Sequence, residues 1–104
     1  MTDWKVLLAN SGIRIQVRRD PLLAQVLGQA LSGIQGYLSR LGLPYRLDAQ
    51  LTRGGEYLIR MRVAYRSQEE RDRIWDRAAT ILEQARAGRQ VHILCGISRL
   101  TSVN

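Results

Sequence analysis

The chain has no phenylalanine, one cysteine, one histidine and two prolines in 104 residues, and Lys5 is its only lysine. A single cysteine, Cys95, excludes an intrachain disulfide and fits a reducing compartment. His92 lies three positions before Cys95; on a strand the two point to opposite faces, so they are poor co-ligands for a metal. No apolar run approaches the roughly 18 residues that cross a bilayer. The opening residues MTDWKVLLANSG lack the basic start and long apolar run of a secretion signal. The expectation is a cytoplasmic protein without membrane contact. No Ser-His-Asp set and no inward pair of carboxylates can be assembled, so neither an enzyme nor a cofactor is expected.

What is present is a hydrophobic fraction of 45% and a charged fraction of 24%, ordinary for one folded domain with a modest core. The net charge of +7 is not ordinary and favours anionic partners. Nearly all of the positive charge is arginine, the side chain suited to bidentate contact with phosphate or carboxylate. A GC-rich genome alone would raise the ratio of arginine to lysine, but it does not decide where the arginines sit.

Their placement follows from the element pattern. WKVLLANSG reads as a strand segment and turn, and IRIQVRR alternates as a strand with Ile13, Ile15 and Val17 inward. Asp20-Pro21 opens a helix whose stripe is Leu23, Leu27, Ala30, Leu31, Ile34, Leu38 and Leu41, closed by Gly42. YRLDAQLTR and EYLIRMRVAYR alternate as two strands around the turn RGGE. Ser67 and Glu70 form a capping box for a second helix, with Ile74, Trp75, Ala78, Ile81, Leu82 and Ala85 inward and Gly88 at its end. QVHILCGI is a last strand with Val91, Ile93, Cys95 and Ile97 inward.

This order predicts an α+β fold: a ferredoxin-like split βαβ sandwich, β-α-β-β-α-β, with two helices on one face of an antiparallel sheet. Residues 1–12 would be an extra strand and turn, 13–97 the core, and 98–104 a polar tail, all in a single domain.

The other sheet face would then carry Arg14, Gln16, Arg18, Arg60 and Arg62 on two central strands. Arg46 would join from a neighbouring strand and His92 from the last one. Like charges facing across a ladder destabilise it by up to about 1 kcal/mol per pair, and an anionic partner would turn that repulsion into attraction. Arg14, Arg18, Arg46, Arg60, Arg62 and His92 are therefore the expected nucleic-acid contacts, to RNA or DNA backbone. With no aromatic on the outward positions of the central strands, backbone recognition fits better than base readout. Such a module would serve as part of a larger assembly; the competing expectation is a small protein-interaction or regulatory subunit that uses this face, or the first helix, on an acidic or helical partner.

Two further features carry expectations. IQGYLSR resembles the phosphate loop of acylphosphatases through Gln35, Gly36 and Arg40. It falls deep inside the first predicted helix, where no cradle of free N–H groups can form. Ala24, Gly28, Ser32 and Gly36 recur every four residues on that helix and imply close approach, by the second helix or by a homodimer or partner helix through Gly28, Ser32 and Gly36. Trp4 is undecided between an edge cover and an exposed contact.

Overall fold

Ser11–Arg19, expected as an alternating strand, is instead a helix, α1, in the computed structural model, which describes residues 3–101. Ile13 and Val17 are four apart, a spacing that fits one face of a helix as well as one face of a strand. Ile15 separates the two readings: it is 42% exposed, whereas Ile13 and Val17 are buried. Asn10 starts α1 as its N-cap, accepting from the Ile13 N–H at 3.1 Å. Upstream, Trp4–Leu7 forms a 3-10 turn capped by Asp3 rather than the expected extra strand.

The remaining elements are α2 (Pro21–Leu41), β1 (Tyr45–Leu51), β2 (Tyr57–Val63), α3 (Gln68–Arg86) and β3 (Ile93–Arg99). The α2 caps match the sequence pattern. Asp20 accepts from the Leu23 N–H, Pro21 takes the first turn, and Gly42 ends the helix at φ 73°. Gln35, Gly36 and Arg40 all lie within α2, so the loop-like heptapeptide is helical. Ser67 caps α3 by accepting from the Glu70 N–H at 3.1 Å. The Glu70 carboxylate reaches back one residue further than a capping box does, to the Arg66 N–H at 2.7 Å.

The sheet has three strands in the order β1-β2-β3, the first pair antiparallel and the second parallel. This corrects the four-stranded antiparallel, ferredoxin-like expectation. The strand that should have run between β2 and β3 is α1, so β2 and β3 pair directly. They leave and re-enter the sheet through α3, which permits a parallel pairing. What stands is an α+β fold of three helices and a mixed sheet. Ser98 and Arg99 belong to β3 rather than to a tail, and the end of the expected tail, 102–104, lies outside the described residues.

One sheet face is buried. Leu47 and Ala49 of β1, Ile59, Met61 and Val63 of β2, and Ile93 of β3 join one core with the apolar stripes of all three helices. Leu27, Ile34, Ile59, Met61 and Ile93 are at most 1% exposed, as their parity and spacing require. Trp75 departs from that pattern. It is 40% exposed, and its indole N–H donates to the Cys95 carbonyl of edge strand β3 at 3.2 Å. The guanidinium of Arg71 lies 5.0 Å from its ring. Trp75 thus covers a strand edge that would otherwise offer a free carbonyl. At the opposite edge Leu8 bridges to Ala49, and the Ala9 N–H donates to the Ala49 carbonyl at 2.7 Å.

Candidate functional site

The open face of the sheet is set by strand register. On β1 and β2, Gln50 faces Leu58, Asp48 faces Arg60, and Arg46 faces Arg62. On β3 the same rows continue as Leu94, Gly96 and Ser98. The surface therefore changes along the strands, from an apolar row of Leu58 and Leu94 to a basic row of Arg46 and Arg62. Between them lies a row in which Arg60 stands next to a residue without a side chain.

Two arginines of β2 reach one carboxylate of β1, and a third arginine, Arg46, stands opposite Arg62 in the next row. Arg60 forks onto Asp48, Nε to Oδ1 at 2.8 Å and Nη2 to Oδ2 at 2.9 Å. That hydrogen-bonded pairing raises the Arg60 pKa. Arg62 reaches the same Oδ2 only at 3.6 Å. Arg46 makes no ion pair among the described residues. Arg60 thus takes both oxygens of Asp48 by hydrogen bonds, which leaves the directly opposed Arg62 with only the longer ion pair and Arg46 with none among the described residues. The pairs on this face are about two-fifths exposed on the arginine side, so their contribution to stability is small.

Of the residues expected to form one basic face, the structure brings together Arg46, Arg60 and Arg62. Arg14 and Arg18 are not on the sheet. They project from α1 and line a hollow of about 530 Å³ with Lys5, Leu8, Val17, Pro21 and Ala24. Arg14 is tied there by Nη1 donating to the Leu8 carbonyl at 2.9 Å. The cause is the same as for the fold: on a helix, positions 14 and 18 share a face one turn apart, whereas on a strand they would have stood beside β2. His92 is exposed just before β3, beside Arg86, Arg89, Gln90 and Val91 at the end of α3. Arg86 and Arg89 there donate to the carbonyls of Ile93 and Ala85, closing the α3–β3 connection.

Gly96, Ser98, Leu58 and Leu94 also belong to this face, although the sequence pattern did not single them out. Parity could have found them: with Ile93, Cys95 and Ile97 inward, the alternate residues of that strand face outward. Cys95 itself, on the inner parity, is pushed up to a pKa of about 11 by burial. No cluster of three or more His, Cys, Asp or Glu side chains suited to a metal occurs among the described residues. No described helix is long and apolar enough to cross a membrane.

The small-residue stripe of α2 is divided among different neighbours. A Cβ on Gly28 would lie 2.7 Å from the Trp4 indole, whereas one on Gly36 would meet only the far end of Arg40 at 3.5 Å. Ser32 is exposed. The glycine that faces α3 is Gly33, whose added Cβ would lie 2.8 Å from Ile81 Cγ2. At Gly28 the indole of Trp4 thus occupies the place expected for a packed helix. Comparison with protein-family models, curated proteins and solved structures found no match for this chain.

Proposed function

We propose that the chain is a non-catalytic nucleic-acid-binding module that holds phosphate backbone on the open face of its sheet. The observation that carries this reading is the direct cross-strand pairing of Arg46 with Arg62 on an exposed surface whose single carboxylate is already forked onto Arg60. Two opposed cations cost a ladder stability, and phosphates bound between them remove the cost. Arg46 and Arg62 are the phosphate contacts in this proposal. Arg14 and Arg18 lie on α1 and His92 just before β3, outside the Arg46–Arg62 row, and are not among the proposed contacts.

The test is the salt dependence of oligonucleotide binding. Removing one phosphate-binding cation reduces the slope of log affinity against log salt by about 0.7–0.9. Arg46→Ala with Arg62→Ala should therefore flatten the slope by about 1.4–1.8 and leave the fold intact. Arg60→Ala should flatten it less, because Asp48 already engages that guanidinium. The control is Arg73→Ala with Arg77→Ala, both exposed on α3, which should change nothing. An equal effect from the control pair, or no binding of any oligonucleotide at low salt, would sink the reading. A second reading, an interaction surface for an acidic protein, is favoured by the adjoining Leu58–Leu94 pair, with Leu94 38% exposed. It replaces the first if oligonucleotides do not bind.

A further inference from the structure

Gly96 sits in the middle of β3 on the open face, and nothing within the chain requires a glycine there. Its φ is not in the left-handed region; the glycines that are there are Gly42, Gly55 and Gly88. A Cβ built on it would meet no atom within 4 Å, so it does not make room for a neighbour. A glycine inside a strand weakens the strand and commonly marks a bulge, a tight bend or a close approach of a ligand or another backbone; the unbroken register of β3 with β2 through Gly96 excludes a bulge there. The space it leaves is a hollow of about 280 Å³, with Leu58, Arg60, Arg62 and Ser98 around it.

The walls define what fits. Along β3 the flanking side chains, Leu94 and Ser98, are four residues apart, about 13 Å at the usual strand rise. Their interval is floored by bare main chain. On the adjoining strand β2 stands Arg60, which lines the hollow and whose guanidinium is drawn toward β1 and held by the fork onto Asp48 at 2.8 and 2.9 Å. A planar guanidinium held in place beside a flat floor is a stacking surface for a planar ring. The basic row next to it, Arg46 and Arg62, is where the phosphates of that ring's own strand would lie. A second copy of the chain does not suit this face, because it would bring like arginines together.

We infer that the Gly96 hollow seats an unpaired nucleobase, so that the ligand of this face is single-stranded nucleic acid. The inference rests on the proposed binding of phosphate by Arg46 and Arg62 and goes one step beyond it. Asp48 then has a role besides neutralising charge: it holds the Arg60 plane for stacking, while Arg62 and Arg46 remain for phosphate. Paired bases cannot enter, because a duplex presents only its backbone and groove edges. Stacking without edge contacts makes the binding tolerant of sequence.

The experiment compares four probes on the whole chain: ten-residue dT and rU strands, a dT strand of equal length with abasic sites, and a duplex of equal length. The intact single strands should bind the native protein at least tenfold more tightly than the abasic strand, with the same salt slope. Gly96→Val should abolish that difference and keep a native or higher melting temperature, since a β-branched residue suits a half-buried strand position and a Cβ there meets no atom within 4 Å. Gly96→Ala serves as a milder variant if the valine disturbs the fold. Equal binding of intact and abasic strands, or duplex bound as tightly as single strand, overturns the inference while leaving phosphate binding in place. Unchanged single-strand affinity in a folded Gly96→Val does the same. Salt slopes unmoved by the Arg46 and Arg62 changes would instead overturn the reading beneath it.

Discussion

Asn10 closes the end of β1 by pairing with the backbone of Leu51 on both sides. Its Nδ2 donates to the Leu51 carbonyl at 2.9 Å, and its Oδ1 accepts the Leu51 N–H at 3.3 Å. The same Oδ1 caps α1 through the Ile13 N–H. One side chain thus starts a helix and stands in for the neighbour that an edge strand lacks. Asn10→Ala should lower stability by about 1–2 kcal/mol, as removal of a cap does, and more if the Leu51 groups are left unpaired. Asn10→Ser keeps a cap but cannot span to both Leu51 groups, so urea unfolding should place it between wild type and alanine. Full stability in the serine variant would show that the Leu51 pairing contributes nothing.

Gly28 and Trp4 predict a reversal of sign. Replacing glycine by alanine inside a helix normally adds up to about 1 kcal/mol of stability. Here the new methyl would stand 2.7 Å from the indole. Gly28→Ala should therefore destabilise by about 1–3 kcal/mol through overpacking. In a Trp4→Ala background the same change should become neutral or stabilising. A double-mutant cycle by thermal or urea melting measures the difference, and identical effects in both backgrounds would contradict the contact.

Glu70 gives a pH signature. The Arg66 side chain and backbone N–H, both bonded to its carboxylate, lower its pKa from 4.5 to about 2. A depressed carboxylate pKa stabilises the fold fully above the unfolded value and loses that contribution as pH falls through the folded one. Glu70→Gln should thus be less stable than wild type above pH 4.5, with the gap closing toward pH 2. Melting curves across that range provide the check; a gap independent of pH would mean that the Arg66 contact does not act through the charge.

Much of this arrangement was written locally in the chain. Asp20 and Ser67 start α2 and α3 through bonds that span three residues, and Gly42 ends α2 by its own left-handed backbone, so the sequence carries them directly. The parity of Ile59, Arg60, Met61 and Arg62 is equally local, because a strand turns each successive side chain to the opposite face. The short turn between β1 and β2 then brings Asp48 opposite Arg60. What the sequence left open depended on distant partners. Ile13 and Val17 satisfy a helix and a strand alike, and packing of α1 against α2 and β1 decided for the helix, carrying Arg14 and Arg18 off the sheet. Trp75 had the spacing of a core residue, but β3 paired directly with β2 and became an edge whose Cys95 carbonyl the indole could reach. Caps and alternation are fixed by bonds between near neighbours, whereas the choice of strand partner depends on which surfaces meet after the chain has closed long loops.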